Sequence, residues 1–455
     1  MAGSVDVANA FEVSGWALCE DLRTADRVII EVDGIEIARI GCSGFRKDLL
    51  EAGIGDGNSA YRFLFPGILG FEKPATLAVR SVSTGALLGP GPVAIKKPLQ
   101  DAISRLALAD GVPYAAAAWS APSEGDRIEV RGRALAPRGA ALGVRPISGS
   151  RVRIRNVEFS KTSEGAFFDD AIQLYNFLFV VETALASGRK IFAFELTDSN
   201  RASISSPVPP VAQFAIPSSR EWLSPPPVAN MIRTSGEKAT EETFFVAGTS
   251  IAYALHSIIA DFLPRNGPVT ILDWGIGCGR VAVPLKRAMR PTADIIGLDV
   301  DDVNVSWCRE SLPDIEVKLC NFFPPLGLSS NSIDVAYGIS VMTHLTDAAQ
   351  HVWLRELHRV LKPGGLCILS THGEISLGVS RIRDPAIYRD LELFGISDRT
   401  PDRNLGEKLR LSGYYRATFQ LRSQVEAAWS DDLKVIAYYH GGNGVFQDLV
   451  ILRKE

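Results

Sequence analysis

A glycine-rich loop that begins with an acid is the clearest chemical signal in the sequence. The loop reads DWGIGCG over residues 273–279, and it follows an apolar segment at 269–272 that predicts a short buried strand. Glycines at this spacing let a ligand lie against the backbone at the start of the helix predicted from Arg280. The loop therefore predicts a ligand of nucleotide type, and the residues expected to hold it are Asp273, Gly275, Gly277 and Gly279.

A second acid lies where a nucleoside sugar would reach it. Residues 293–300 predict the next strand, and Asp299 stands twenty residues after Gly279. A carboxylate at this place can accept both ribose hydroxyls. A dinucleotide loop would have a third glycine where Arg280 stands, and Asp273 would repel a diphosphate. The spacing therefore favours a nucleoside that carries a cationic group instead of phosphates.

The elements around the loop are those of an alternating β/α domain. Residues 241–263 have the apolar spacing of a helix, which ends before Pro264. From about residue 230 to residue 455, the sequence resembles the Rossmann-like (class I) S-adenosylmethionine-dependent methyltransferases. The motifs that carry the resemblance occur in the family's order and are ILDWGIGCGR (271–280), IIGLDVDD (295–302), SIDVAYGISVMTHL (332–345) and WLRELHRVLKPGGLCILSTHG (353–373).

The resemblance implies S-adenosylmethionine as the cofactor and gives the site residues their roles. The glycine loop would line the methionine and ribose end, Asp299 would bind the ribose, and Ser340 would lie beneath the sulfonium. Asn321 and Phe322 would flank the adenine, while a place in the core is the alternative for Phe322. The family usually has an acid where Asn321 stands, although an amide oxygen can still accept a hydrogen bond.

The C-terminal tail resembles that of one group of methyltransferases within this family. Segments 433–442 and 446–454 predict a closing hairpin, which matches the family's antiparallel last strand pair. Together with segment 413–420, they resemble methyltransferases found with bacterial polysaccharide and O-antigen synthesis machinery. This implies O-methylation of a sugar hydroxyl on a glycan or glycolipid. A small metabolite, a lipid or a protein is the alternative acceptor, and a catalytically silent cofactor-binding scaffold with glycan-binding β modules is the further alternative.

Methyl transfer to a hydroxyl requires alignment and benefits from a general base, which is most often histidine near neutral pH. His344 follows the fourth strand of the domain, His372 follows the fifth and His440 lies in the tail, so these three are the candidates. His351 and His358 lie on one predicted helix and are expected at its surface or in its packing. No metal is expected from local spacing of His, Asp and Glu, and a site gathered from distant residues stays open.

Acceptor recognition is predicted in the long segment 374–418, between the fifth and sixth strands of the domain. Its tyrosines Tyr388, Tyr414 and Tyr415 would stack on sugar rings, and its arginines would meet phosphate or acidic sugars. The alternative is a solvated helix with ordinary surface charges. The arginines are Arg381, Arg383, Arg389, Arg399, Arg403, Arg410 and Arg416.

The first half of the chain contains an internal repeat. The matching pairs are EVSGWAL (12–18) with EVRGRAL (129–135), YRFLF (61–65) with YNFLF (175–179), and Pro92-Val93 with Pro207-Val208. Their offsets of 117, 114 and 115 residues are nearly constant. Alternating segments such as 27–40, with Asp33-Gly34 as a hairpin turn, predict antiparallel strands. We therefore expect two tandem copies of one sandwich-like module.

The predicted fold is multidomain, with two small all-β (sandwich-like) repeats followed by an α/β Rossmann-like methyltransferase domain with an antiparallel last strand. The predicted boundaries are 1–98 for the first β module, 112–212 for the second, 213–229 for a Pro-rich linker and 230–455 for the methyltransferase domain.

Composition excludes several classes of protein. The 455 residues are 46% hydrophobic and 22% charged, which is ordinary for globular domains. The formal net charge of −4 creates no field that favours nucleic acid, so no nucleic-acid partner is expected. No apolar run of membrane-spanning length and no signal peptide are expected. The six scattered cysteines form no CxxC pair and predict reduced thiols in a cytoplasmic protein. The sequence leaves the oligomeric state open.

Overall fold

The computed structural model of the chain describes residues 3–65, 75–95, 114–122, 127–147, 152–162, 172–183, 191–200, 213–217, 225–237, 239–264, 267–289, 292–380, 382, 384–409 and 414–455. The chain forms two compact units. One consists of Met1–Ile103 with Arg381–Leu393, and the other of Ser104–Ser380 with Phe394–Glu455. The second β-rich segment therefore belongs to the same unit as the C-terminal domain, and the four domain boundaries given above stay a prediction.

The first unit is built on short antiparallel strands. They are β1 (Gly3–Ala8), β2 (Glu12–Ala17), β3 (Arg27–Val32), β4 (Ile35–Gly41), β5 (Ala60–Leu64), β6 (Ala75–Ser81) and β7 (Val93–Ile95), with helix α1 (Lys47–Glu51) before β5. The sheets have the orders β1-β2-β5 and β4-β3-β6-β7. Val13 of the first sheet shares one buried core with Ile30 and Leu77 of the second sheet, as in a sandwich. Asp33 and Gly34 both have positive φ, as the predicted hairpin turn requires.

The second β-rich segment contains β8 (Ala115–Pro122), β9 (Arg127–Pro137), β10 (Leu142–Pro146), β11 (Val152–Lys161), β12 (Ile172–Thr183), β13 (Ile191–Asp198) and β14 (Gln213–Pro217). Its sheets have the orders β11-β12-β9-β8 and β10-β13-β14. Phe177, Phe179, Phe194 and Phe214 form an aromatic core between them. β14 lies inside the segment predicted as a linker, where it pairs with β13 and completes this core.

The two β-rich segments share most of their topology. When strands are numbered within each segment, strands 1, 2 and 5 form one sheet and strands 3, 6 and 7 form the other, in both cases. The fourth strand differs, because β4 joins the second of these sheets whereas β11 joins the first. The sequence matches lie on β2 and β5 in one segment and on β9 and β12 in the other. Pro207-Val208 lies outside the described residues.

The C-terminal domain alternates strands and helices. Its elements are α2 (Val228–Ser235), α3 (Glu241–Phe262), β15 (Val269–Trp274), α4 (Ala282–Ala288), β16 (Ala293–Asp299), α5 (Asp302–Ser311), β17 (Glu316–Leu319), β18 (Ile333–Gly338), a 3₁₀ turn (Met342–His344), α6 (Asp347–Val360), β19 (Leu361–Thr371), α7 (Glu374–Ser380), α8 (Pro385–Phe394), β20 (Ile396–Pro401), α9 (Arg403–Lys408), β21 (Arg416–Gln420), α10 (Arg422–Trp429), β22 (Lys434–Asn443) and β23 (Gln447–Arg453).

The sheet of this domain has the order β17-β16-β15-β18-β19-β23-β22. Strands β15 to β19 run parallel, whereas β23 is antiparallel to β19 and to β22. The predicted closing hairpin is thus present and supplies the antiparallel strand. The order of the sheet reverses between β15 and β18, so a crevice for a ligand is expected at their carboxyl ends.

Helix α3 is the one described helix that is long and apolar enough to cross a membrane by length and composition. The expectation that the chain lacks an apolar segment of this length was therefore wrong. Just over half of the helix's apolar window, 56%, is buried inside the protein. Ala252, Leu255 and Ile259 pack into the core beside the parallel sheet. Core helices of this kind satisfy the same length and composition test as membrane spans.

The segment predicted to recognise the acceptor is divided between the units. Residues 381–393, which include most of α8, belong to the first unit. There Tyr388 stacks on Phe11 with ring centroids 6.2 Å apart, and Arg389 lies 3.6 Å from the Glu12 carboxylate. Tyr388 thus has a packing role that its position in the sequence did not suggest. Arg381, Arg383 and Arg410 lie outside the described residues.

Candidate functional site

A cleft lies at the carboxyl ends of β15, β16 and β18, where the order of the sheet reverses. Seven of the residues predicted from the sequence line it, namely Asp273, Gly275, Gly277, Asp299, Phe322, Ser340 and His344. Gly279 closes the turn behind the loop. The topology thus brings together residues that are up to seventy-one positions apart in the chain.

The glycine loop has a backbone that other residues would not readily adopt. Gly275, Gly277 and Gly279 have φ angles of 87°, 55° and 79°. A Cβ at Gly275 would lie 2.6 Å from Val341, and one at Gly277 would lie 2.6 Å from Thr234. Glycine is therefore required at these positions both by the positive φ angles and by the close approach of Val341 and Thr234 to the loop.

Asp299 faces this loop from the end of β16. Its Oδ2 accepts a 2.6 Å hydrogen bond from the Gly277 amide, and its Oδ1 accepts one of 2.9 Å from the Asp301 amide. These bonds fix both oxygens at the cleft wall and leave each with a lone pair for a ligand. Burial of the carboxyl is the main cause that raises the pKa of Asp299 to about 6.

Asp273 and Arg280 lie deeper in the cleft. The Asp273 carboxylate accepts a 2.6 Å hydrogen bond from the Tyr337 hydroxyl, and burial raises the pKa of Asp273 to about 7. The Arg280 guanidinium donates to Ser235, while its Nε has no hydrogen-bond partner and is buried. Burial also lowers the pKa of Arg280. An unpaired buried Nε is a donor available to an anionic group such as a carboxylate.

Aromatic residues form the opposite end of the cleft. Phe322 lies with Tyr414 and Tyr415 around it, at ring-centroid distances of 6.2 and 6.4 Å. The Tyr414 hydroxyl donates to the Phe322 carbonyl at 2.7 Å. The two tyrosines, predicted to meet the acceptor, therefore stand beside the predicted adenine residue. Asn321 is exposed and does not belong to the described lining.

Ser340 and His344 form the wall below β18. Ser340 has a φ of 61°, and its hydroxyl donates to Gln447 at 3.0 Å while its amide donates to Ser370 at 2.7 Å. Residues other than glycine that adopt such a strained backbone conformation are concentrated at functional sites. His344 Nδ1 lies 3.2 Å from a carboxylate oxygen of Asp402, as an ion-pair contact without the direction of a hydrogen bond.

The other two candidate histidines lie away from the cleft lining. His372 is enclosed by Phe419 and Phe446, and burial, followed by the nearby charge of His344, lowers its pKa to about 4. His440 is 7% exposed and lies with Glu374 and Asp448. Of the three candidates, the structure places His344 in the described cleft lining.

Two cleft arginines were not predicted as site residues. From the sequence, Arg280 only begins the predicted helix and breaks a dinucleotide pattern. Its position directly after the glycine loop was the signal that could have identified it as a site residue. Arg233, on α2, forms a two-bond ion pair with Asp301 at 2.6 and 2.8 Å. Nothing in the local sequence of Arg233 points to this pair, because it forms only when α2 packs beside α5.

Comparison with known proteins agrees with this geometry. Residues 271–365 match a family model described as "Methyltransferase domain". This part of the chain is thus similar to methyltransferase domains. Over 111 residues, the chain is 37% identical to a protein of Mycolicibacterium smegmatis named as a probable S-adenosylmethionine-dependent methyltransferase, covering 24% of this chain and 41% of that protein. Over 171 residues, it is 32% identical to an uncharacterized 37.1 kDa transposon protein of Streptomyces fradiae, covering 37% of this chain and 46% of the relative.

These sequence matches cover only part of this chain and part of each relative. The chain spans less than half the length of these two relatives. A solved S-adenosylmethionine-dependent methyltransferase from Mesorhizobium loti is 19% identical, with a TM-score of 0.33, and the alignment covers 44% of this chain and 97% of that structure. The matched residues include the glycine loop and Asp299, so the comparisons concern the part of the chain that forms the cleft.

S-adenosylmethionine is the cofactor that the matched domain and the relative's name support. The cleft fits it in two respects. Asp299 presents two anchored oxygens for a diol, and Arg280 presents an unpaired donor for a carboxylate. The aromatic end offers a flat apolar surface for a base.

Cofactor affinity should depend on pH through Asp299. Its raised pKa of about 6 means that the carboxyl gains a proton as the pH falls through that value and then accepts fewer hydrogen bonds from a ribose. We expect the affinity for S-adenosylhomocysteine, measured by calorimetry, to fall about fivefold from pH 6 to pH 5, because the ionised fraction of Asp299 falls by that factor. Asp299→Asn should bind weakly without this dependence. The same slope in both proteins would assign the effect to another group, such as Asp273.

Proposed function

We propose that this chain is an S-adenosylmethionine-dependent methyltransferase that O-methylates a sugar hydroxyl of a glycan or glycolipid in the cytoplasm. The single observation that carries the methyltransferase assignment is the cleft in which the glycine loop and Asp299 meet. The glycan assignment rests on the resemblance of the C-terminal tail to methyltransferases of polysaccharide synthesis. The six cysteines are free, which agrees with a reducing compartment.

Different residues of the cleft bind different parts of the S-adenosylmethionine molecule. Asp299 accepts hydrogen bonds from the ribose diol, and Phe322 with Tyr415 covers the adenine. Arg280 receives the methionine carboxylate, while Asp273 lies on the side of the cationic groups. When bound, the cofactor supplies a methyl group already activated on a sulfonium. The chain therefore needs to align the acceptor with that methyl and to exclude competing water.

His344 serves as the general base for the acceptor hydroxyl. Asp402 lies beside its Nδ1, which favours the tautomer that leaves Nε2 free to accept a proton. In the transfer, an oxygen–carbon bond to the methyl forms as the carbon–sulfur bond breaks. The hydroxyl proton passes to His344, and the products are a methyl ether and S-adenosylhomocysteine. No covalent intermediate with the protein is required.

We also propose that the β-rich segments are two copies of one module and that they bind the glycan acceptor. The support is their shared strand order, which differs only in the sheet joined by the fourth strand. A duplicated module that keeps its core can change an edge strand with little loss of packing. The sequence matches between β2 and β9 and between β5 and β12 also support a duplication.

Transfer of a labelled methyl group tests the acceptor. We expect the purified chain to move label from S-adenosylmethionine to surface polysaccharide taken from a strain that lacks this protein, because the hydroxyl that the enzyme methylates is still free in that material. Acid hydrolysis followed by mass spectrometry should then yield an O-methyl sugar. Asp299→Ala is the matched control and should leave the polysaccharide unlabelled. Label found only in small metabolites, lipids or proteins would reject the glycan and select the corresponding alternative acceptor.

A further inference from the structure

Three buried side chains converge behind the cleft and have no part in the proposed methyl transfer. They are Glu374 at the start of α7, His440 on β22 and Asp448 on β23. Each offers one ligand atom, and these atoms lie within 4.8 Å of one another. The side chains are 3%, 7% and 0% exposed, so solvent does not screen their charges.

The cluster contains polar atoms that no protein group satisfies. Neither ring nitrogen of His440 has a hydrogen-bond partner, and the same holds for Oε2 of Glu374. His440 Nδ1 lies 3.5 Å from Asp448 Oδ2, which is longer than the roughly 2.7–3.2 Å of a protein hydrogen bond. Buried polar atoms without partners are rare because each costs free energy. One ring nitrogen of His440 and Oε2 of Glu374, both buried without a partner and close to the Asp448 carboxylate, indicate that something else binds there.

Surrounding groups hold both carboxylates in place. Asp448 accepts hydrogen bonds of 2.8 Å from the Tyr438 hydroxyl and 2.7 Å from the Gly441 amide. Glu374 Oε1 accepts one of 3.1 Å from the Arg422 amide, which leaves Oε2 turned to the cluster. A Cβ at Gly373 would collide with the Asp448 carboxylate. Hydrogen bonds to the outer atoms of ligands are the usual support of a metal centre.

We propose that Glu374, His440 and Asp448 bind one divalent transition-metal ion, of which Zn²⁺ fits best. One imidazole nitrogen and two carboxylate oxygens form a mixed nitrogen–oxygen set, whereas Mg²⁺ and Ca²⁺ favour oxygen ligands alone. Two carboxylates also balance the charge of a dication, which removes the cost of burying them unpaired. Zn²⁺ often has three protein ligands and one further position.

The site adjoins the wall of the cleft through one residue. Gln447 precedes Asp448 on β23, and it accepts hydrogen bonds from Ser340 and Ser370 at 3.0 and 2.9 Å. A bound ion would tie β22 and β23 to the start of α7 and thereby fix Gln447 against Ser340. The proposed role of the ion is therefore to hold the cleft wall in position, and the ion does not itself bind the cofactor.

Metal analysis of the full chain tests this site directly. After treatment with a chelator and dialysis, titration with ZnCl₂ by calorimetry should show one ion per chain, and elemental analysis should find the same ratio after gel filtration. Glu374→Gln, His440→Gln and Asp448→Asn should each weaken Zn²⁺ binding at least tenfold. Tyr438→Phe should weaken it about tenfold, as loss of a supporting hydrogen bond does.

His351→Gln is the matched control, since His351 also lies near carboxylates but on the surface of α6. It should leave Zn²⁺ binding unchanged. Because a ligand variant can fail to fold, the unaltered protein loaded with Co²⁺ provides a second measurement. Its absorption should show bands of nitrogen–oxygen coordination without a thiolate charge-transfer band. No stoichiometric ion, a thiolate band, or unchanged affinity in folded ligand variants would each overturn the proposal.

Discussion

Asp299→Ala should lower the affinity for S-adenosylhomocysteine by at least about 100-fold. The Asp299 oxygens are held by the amides of Gly277 and Asp301 and are positioned to accept two ribose hydroxyls. Hydrogen bonds to a charged acceptor contribute about 1.5–3 kcal/mol each, so the loss of two amounts to about 3–6 kcal/mol. Because about 1.4 kcal/mol corresponds to a tenfold change in Kd, calorimetry will resolve the effect easily.

Two further variants separate binding from folding. Asp302→Ala removes an exposed acid three residues further along and should leave the affinity unchanged. Asp299→Asn keeps an acceptor for the amide of Gly277 and should retain the thermal stability while it still loses most of the affinity. If Asp299→Ala binds as tightly as the unaltered protein, the assignment of the cleft is wrong. If the unaltered protein shows no binding, the cofactor-binding scaffold is excluded together with the enzyme.

The parts of this fold that the sequence predicts are those whose signals are local. The loop at 273–279, the acid at 299 and the hairpin at 433–454 each carry their own pattern of glycines, alternation or apolar residues. This is why seven of the predicted residues line one cleft. The antiparallel last strand of the C-terminal sheet was expected from the resemblance that these motifs carry.

The features that sequence reasoning missed depend on contacts between distant segments. Glu374, His440 and Asp448 are separated by sixty-six and eight positions, and only the placement of β22 and β23 beside β19 brings them together. The packing of Tyr388 on Phe11 likewise joins residues from opposite ends of the chain. No periodicity within either segment encodes such a partner, so these contacts could not be read from local patterns.

The sheet joined by the fourth strand of the second β-rich segment was also beyond local reasoning. Both β4 and β11 alternate polar and less polar residues, and each can serve as an edge strand. The choice of partner depends on which neighbouring edge is free and on the loops that lead to it. In the first unit β4 pairs with β3, whereas β11 pairs with β12. The Asp33-Gly34 turn predicted the pairing of β3 with β4, whereas no local pattern specified the partner of β11.

His344→Ala should lower kcat by about 100- to 10,000-fold, which is the usual contribution of a general base. His344 lies in the cleft lining beside Ser340, with Asp402 3.2 Å from its Nδ1. Its removal leaves the acceptor hydroxyl without a group to take its proton. The affinity for S-adenosylhomocysteine should change less than about threefold, because the imidazole acts on the acceptor rather than on the adenosine.

The comparison among histidines decides whether His344 acts as the base. His372→Ala removes a buried ring that packs on Phe419, so we expect lower stability with little change in kcat once the protein is folded. Asp402→Asn should lower kcat less than His344→Ala does, because the imidazole remains and loses only the carboxylate that orients it. Equal turnover in His344→Ala and the unaltered protein, at saturating cofactor, would rule out this histidine. A base is then unnecessary, or the acceptor arrives already ionised, and the weak nucleophilicity of a sugar hydroxyl would argue against the glycan as acceptor.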